Sequence, residues 1–285
     1  MFVPHHSFVT APGASPGQWM LVLHGIYGSG TNWRTFAGKL VERQPDWGLV
    51  LVDLRMHGRS QGAPPPHTVA AAAADLGALR EVLAQGGKRV RAIAGHSFGG
   101  KVALAYRASP AGDALAHTWV LDASPTAFPA AMDSTSNTVL QVLRMLAALP
   151  PRFASRSAFV AHVSGQGFAP MLANWLAMNL DAAPAGDAAG GYVMRLEPAV
   201  MEALLRDFHG FDAWPALAGG PGIAHMIIAG ASNTVSAADR QHLDALIAGG
   251  AAITVELIPG ASHWLHIDGL DTLIDLVASA LALPA

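Results

Sequence analysis

The chain contains no cysteine in 285 residues. Disulfide, thiolate and cysteine-ligated zinc chemistry are excluded, while the redox compartment stays open. Charge is scarce as well: Asp, Glu, Lys and Arg together make 13% of the residues, the net charge is −3, and no basic block occurs. Nothing here offers an electrostatic footprint to nucleic acid or to an anionic membrane surface. Uninterrupted apolar runs of membrane-spanning length are missing, and Met1-Phe2-Val3-Pro4-His5-His6 has neither a basic nor an apolar leader region, so a cytoplasmic location is expected. His5 and His6 lack a partner acid nearby and read as an exposed terminus rather than a metal site. No metal and no cofactor is expected.

What is present is an apolar fraction of 52%, enough for a large core. Apolar strand-like runs alternate with helical periods in the first half: strands at 19–23, 48–52, 89–94 and 118–121, helices at 33–43, 69–84 and 101–108. That rhythm predicts a mostly parallel, doubly wound sheet covered on both faces. It breaks after Asp122. Between Ser124 and Pro215 no strand is expected, only helical spacing at 139–149, 168–180 and 198–208 among Pro- and Gly-rich loops, with a mobile loop at 182–191. Alternation resumes with strand 224–229, helix 237–248, strand 253–258 and a last helix near 270–281. The expected organisation is an α/β core of residues 1–123 and 216–285 with a helical cap, 124–215, inserted into it.

The chemistry concentrates at Gly95-His96-Ser97-Phe98-Gly99, which follows an apolar run and precedes a helical stretch. A serine on a sharp strand-to-helix turn holds its hydroxyl clear of the backbone, with a helix N-terminus facing the charge that develops during attack. The flanking glycines answer a steric demand, because strand and helix come too close for side chains. Ser97 is thus a candidate nucleophile, and it needs a base, an acid and oxyanion donors. His263, just past the last predicted strand, is the best base among thirteen histidines; His266 lies at the start of the following helix. The oxyanion donors are expected to be the backbone N–H groups of Phe98 and of Ile26, in the glycine-rich loop His24-Gly25-Ile26-Tyr27-Gly28-Ser29-Gly30. That loop lacks the lysine of a phosphate-binding loop. His57-Gly58 reads as a structural turn. His24, Tyr27, Trp175 and Trp264 are candidate substrate contacts, and Met132, Leu143, Met145, Met171 and Met178 suit an apolar acyl pocket or plain packing.

Four stretches taken together resemble the α/β-hydrolase superfamily: Leu21-Val22-Leu23-His24-Gly25, Asp53-Leu54-Arg55-Met56-His57-Gly58-Arg59-Ser60, Gly95-His96-Ser97-Phe98-Gly99-Gly100-Lys101 and Gly260-Ala261-Ser262-His263-Trp264. The pattern is most similar to a branch of small bacterial and mitochondrial esterases acting on acyl esters or thioesters. The resemblance implies the α/β-hydrolase fold, a helical cap inserted after strand six, a Ser-Asp-His triad and ester-type chemistry on a small acyl ester. It leaves the acyl chain, the alcohol or thiol and the oligomeric state open.

The acid departs from the commoner pattern of that superfamily, which places it in the loop corresponding to Ala229-Gly230-Ala231-Ser232-Asn233-Thr234-Val235. No carboxylate stands there. Asp239 is nearest, but Ser236-Ala237-Ala238-Asp239 is a capping box that accounts for it. Asp122, at the end of strand 118–121, is the favoured acid, with Ser232 supporting His263 or Asp122. Ester hydrolysis leads as the function. An acyltransferase or perhydrolase would use the same triad, and a non-catalytic receptor would leave it silent.

Overall fold

Strands rich in Val, Leu and Ile that are buried on both sides have to sit in the middle of a layered structure. A computed structural model, which describes residues 2–183 and 190–282, builds one seven-stranded sheet from such runs. In chain order its strands are β1 (His6–Val9), β2 (Gln18–Leu23), β3 (Trp47–Val52), β4 (Val90–His96), β5 (His117–Leu121), β8 (Ile223–Ala229) and β9 (Ile253–Ile258); two further strands, β6 (Leu180–Ala182) and β7 (Tyr192–Met194), pair apart from them. The spatial order is β1-β3-β2-β4-β5-β8-β9, with β1 antiparallel and the rest parallel.

Alternation along each strand divides the core. Met20, Val22, Leu49 and Leu51 face helices α1 (Arg34–Arg43) and α11 (Leu270–Leu281), while Leu21, Leu23, Val50 and Val52 face α2 (Val69–Gln85) and α3 (Phe98–Arg107). Near β8 the second face is completed by α8 (Trp214–Gly219) and α9 (Ala237–Ala248). Trimming a fully buried side chain such as Leu23 to alanine would cost about 2–5 kcal/mol.

Register brings the strand ends into line. Leu23 pairs with Gly95, His96 with Leu121, Leu121 with Ile227 and Ala229 with Ile258. The loops that follow β2, β4, β5, β8 and β9 therefore open on one edge of the sheet, the edge at which parallel α/β sheets carry their ligands.

Between β5 and β8 the chain forms α4 (Thr138–Ala147), α5 (Arg156–Gly165), α6 (Pro170–Leu176) and α7 (Pro198–Gly210), together with the β6–β7 pair. The sequence reading allowed no strand here, and each of these two is only three residues long. It also missed α5, which Ser155 caps by accepting from the Ala158 N–H. Of the loop expected at 182–191, residues 184–189 lie outside the described residues. The strand before this segment is β5, which ends at Leu121 just ahead of Asp122. Lys101, on α3, ties both ends of the segment to the sheet: its buried ammonium donates to the carbonyls of Thr126 (2.9 Å), Phe208 (2.9 Å) and Phe211 (2.7 Å).

The N-terminus is not the free end that the His5-His6 pair suggested. His6 starts β1, and His5 donates its backbone N–H to Ser60 Oγ and sets Nδ1 3.1 Å from Asp53 Oδ2. No helix among the described residues is long and apolar enough to cross a membrane.

Candidate active site

Ser97 stands alone between the last residue of β4 and the first of α3, at φ 52° and ψ −115°. A non-glycine residue in that region carries strain of about 1–3 kcal/mol, held only because the surroundings dictate it. Here they do. A Cβ on Gly95 would lie 2.0 Å from the Gly99 carbonyl oxygen, and one on Gly99 would lie 2.6 Å from the His24 oxygen. Strand and helix are pressed together, and the Ser97 side chain is turned outward into a cavity of about 360 Å³.

Asp122 follows β5 with φ 45° and is fully buried. Its Oδ1 accepts the Ala229 N–H at 3.1 Å, and its Oδ2 lies 2.7 Å from His263 Nδ1. Burial alone would raise this carboxyl, but the bond to His263, the nearby Ser232 hydroxyl, the Coulombic attraction of His263 and the Ala229 N–H together hold it below its ordinary value. A charged acceptor at Nδ1 keeps the proton on that nitrogen and leaves Nε2 as an acceptor. His263 lines the same cavity as Ser97, although no hydrogen bond joins Ser97 Oγ to the ring in this structure. Such contacts commonly tighten only once substrate is bound.

The loop after β2 is held from beneath. The Tyr27 N–H donates to His57 Nε2 at 3.1 Å, and His57 Nδ1 is bound to the Arg55 carbonyl at 2.9 Å. Burial pulls the His57 ring down to about pKa 3, with His24 adding to the effect, so it stays neutral and keeps this geometry. His57 is the structural turn that the sequence suggested. Ile26 and Phe98 both border Ser97: Ile26 lines the cavity, and its N–H donates to no acceptor among the described residues. Phe98 opens α3, where a backbone N–H has no partner one turn back.

Two expectations change. His24 lines the cavity, but its nitrogens serve the backbone: Nε2 accepts from the Leu54 N–H at 2.9 Å, and Nδ1 donates to the Gly25 carbonyl at 2.7 Å. It braces the loop and has no nitrogen left for substrate. Of the two partners expected for Ser232, its hydroxyl lies by Asp122 and not His263; it also lies 2.9 Å from Thr234 Oγ1, and it is Thr234 Oγ1 that lies 3.3 Å from His263 Nδ1. Asp239 accepts from Ser236 N–H in its capping box and from Ser124 Oγ, and makes no bond to His263.

Tyr27 lines the cavity, and its hydroxyl donates to the Val139 carbonyl on α4 at 3.0 Å, so the loop also grips the helical segment. Trp175 and Trp264 meet edge to face across the cavity wall with centroids 4.7 Å apart. Of the proposed apolar residues only Met171 and Trp175 reach this cavity; Met145 is core, Met132 and Leu143 pack elsewhere, and Met178 is exposed. Sequence reasoning overlooked His96. Its Nε2 donates to the His263 carbonyl at 2.8 Å, a contact that only the paired ends of two loops could create.

The same architecture recurs in known proteins. The chain is 27% identical over 253 residues to the sn-1-specific diacylglycerol lipase ABHD11 of Danio rerio, covering 87% of this chain and 74% of that protein. A marine microorganism esterase superposes with a TM-score of 0.79 at 23% identity, over 98% of this chain and 99% of that one. E-2-(acetamidomethylene)succinate hydrolase superposes with a TM-score of 0.73 at 19% identity, over 98% and 100%. At such identities the two structures establish the fold alone. The alpha/beta hydrolase family model matches residues 20–276, nearly the whole length, and the chain belongs to that family.

Proposed function

We propose that the protein is a serine hydrolase that cleaves carboxylic esters, thioesters included, through an acyl-enzyme. The observation that carries this reading is the 2.7 Å bond between Asp122 and His263 beside the strained, outward-turned Ser97 in one largely apolar cavity. The esterase and lipase names among similar proteins support it.

His263 Nε2 takes the Ser97 proton as Oγ attacks the ester carbonyl carbon. The oxyanion of the tetrahedral intermediate rests on the N–H groups of Ile26 and Phe98. His263 then hands its proton to the departing alcohol or thiol, leaving an acyl-Ser97 ester. Water deprotonated by His263 attacks that ester, and collapse of the second intermediate releases the acid and returns the proton to Ser97. Asp122 holds the imidazole in the productive tautomer throughout. In this reading residues 124–215 form a cap whose α4 and α6 wall the acyl pocket.

The test is labelling by a fluorophosphonate probe together with hydrolysis of a p-nitrophenyl ester. Ser97→Ala is expected to abolish labelling and to lower kcat by about 10³ to 10⁶ without shifting the thermal melt. Labelling that persists in the purified variant would point to another nucleophile.

A further inference from the structure

His266 is the second residue of the short helix α10 (Leu265–Asp268) and is 9% exposed. Its ring stacks on the indole of Trp33 at 4.7 Å and lies 5.4 Å from the ring of His96. It lines the cavity that Ser97 faces. Among the described residues neither of its ring nitrogens has a hydrogen-bond partner, and Nδ1 is shut off from solvent as well.

That sets it apart from His24, His96 and Tyr27 in the same cavity wall. His24 has both nitrogens engaged by backbone, His96 donates to the His263 carbonyl, and the Tyr27 hydroxyl is bound to Val139. Buried polar groups are nearly always satisfied, and an exception calls for a partner. Nδ1, shut off from solvent, is out of reach of a molecule in the cavity, so Nε2 is the nitrogen such a molecule can meet, in a wall shared with the rings of Trp33, Trp264 and His96.

We propose that His266 is a substrate-binding residue that hydrogen-bonds a neutral oxygen group, a hydroxyl or carbonyl, carried by the ester away from the bond that is cleaved. This rests on the ester-hydrolase reading and names its substrate class: oxygen-substituted esters in preference to plain alkyl ones. Burial, with His263 adding to it, lowers the ring to about pKa 4, so it is neutral near pH 7 and offers one donor and one acceptor. A hydroxyl suits Nε2 whether that nitrogen donates or accepts. A carboxylate would need the ring protonated in an apolar wall, which burial opposes. Trp33 stacked on one face fixes the ring plane, so the preference is directional.

The experiment compares kcat/KM for matched esters in wild type and in His266→Phe, which keeps the stack on Trp33 and removes both nitrogens. One series varies the acyl side (p-nitrophenyl butanoate, 3-hydroxybutanoate and 4-hydroxybutanoate). The other varies the alcohol side (ethyl against 2-hydroxyethyl butanoate). Wild type is expected to favour the hydroxylated member of one series by about tenfold, the series identifying the side, and the ratio is expected to fall toward one in His266→Phe. His266→Gln, which retains a donor and an acceptor, should recover part of it. Calorimetry of the same pairs on Ser97→Ala separates binding from turnover. Tighter binding of the hydroxylated ester without any hydrolysis in wild type would sink the hydrolase reading and keep the His266 assignment. The ¹⁵N shifts of the His266 ring in Ser97→Ala, expected to move with the hydroxylated ester only, give a readout that needs no change at His266. Equal treatment of both members in rate and binding, or a preference that survives His266→Phe, overturns the proposal.

Discussion

The imidazole of His96 donates to the backbone carbonyl of His263 at 2.8 Å, tying the residue before Ser97 to the loop that carries the proposed base. The rings themselves lie 4.6 Å apart. Burial, with the neighbouring histidines adding to it, holds His96 well below its ordinary pKa, so it keeps its single proton for this bond. Removing the donor with His96→Leu frees a loop whose placement decides the reaction geometry, and misplacement by about 1 Å is enough to cost up to about 10²-fold. A loss of about 10- to 100-fold in kcat with KM little changed is expected, and His96→Gln should restore part of it. Steady-state kinetics on one activated ester, beside melting temperatures, check this; a loss in stability alone would make His96 a packing residue.

Asp122 makes the sharpest mutational contrast with Asp239. In Asp122→Asn the side chain keeps an oxygen for the Ala229 N–H, but its amide then meets the Nδ1–H of His263 and turns the ring to the wrong tautomer. The expected fall in kcat is up to about 10⁴ with the fold intact. Asp239→Asn disturbs a cap and two hydroxyl contacts and should cost about 1 kcal/mol in stability with little effect on rate. Measured kcat for the two variants separates the roles, and a near-wild-type Asp122→Asn would remove Asp122 from the mechanism.

The parallel strands were legible because each is an apolar run bounded by turn residues, and the strand-to-helix turn at Ser97 because glycine spacing and strand-helix context coincide in it. β1 was not: His6-Ser7-Phe8-Val9 is a short edge strand with mixed burial, and only its pairing with β3 defines it. The β6–β7 pair was illegible for the same reason. Within the site, position along the chain offered Ser232 to His263 or Asp122; it lies by Asp122, and another hydroxyl reaches the ring. Turn geometry after β8 aims Thr234, two residues beyond Ser232, at the ring. His24 looked like a substrate contact because nothing in the sequence shows that a distant N–H, that of Leu54, takes its Nε2. Such pairings arise from tertiary closure, which residue spacing does not encode.

Lys101 offers a stability test of how the helical segment is anchored. Its three carbonyl partners lie at both ends of that segment, and Lys101→Met leaves all three without their donor. Each part-buried acceptor so abandoned costs about 1 to 3 kcal/mol, less where water can reach it, and the loss is partly offset because a buried ammonium is itself expensive. A net loss of about 2–4 kcal/mol, read as a fall of about 5–10 °C in Tm, is expected. Hydrogen exchange should speed up first around residues 124–130 and 205–213. An unchanged melt and exchange pattern would mean that the ammonium is not what holds the segment.

Acid should unfold the protein early, because several histidines are buried neutral. Burial lowers the rings of His57, His225 and His266 from 6.5 to about 3, about 4 and about 4. Between pH 6.5 and about 4 the unfolded chain binds protons that the folded chain refuses, so stability is full above that window and falls as pH drops through it. By pH 5 each such histidine costs about 2 kcal/mol. Asp122, held below 3.8, adds its own loss only at still lower pH. Urea unfolding at pH 7 and pH 5 measures the difference, and His225→Gln should shrink it by about 2 kcal/mol whatever the variant's stability at pH 7. An equal pH dependence in both proteins would show that His225 titrates normally.

Trp175 tests whether the cavity sorts substrates by acyl length. It lines the cavity from α6 and braces Trp264 edge to face at 4.7 Å, so its removal both enlarges the cavity and loosens the loop beside His263. The first effect depends on chain length and the second does not. One or two methylenes seated in an apolar pocket are worth about 1–3 kcal/mol, and a deeper pocket favours the longer chain. Trp175→Ala is therefore expected to shift the kcat/KM ratio of octanoate to acetate p-nitrophenyl esters by about tenfold toward octanoate, with the absolute rate on acetate falling less than that. A uniform loss across the series would assign Trp175 to bracing Trp264 and leave chain-length selection to the other cavity walls.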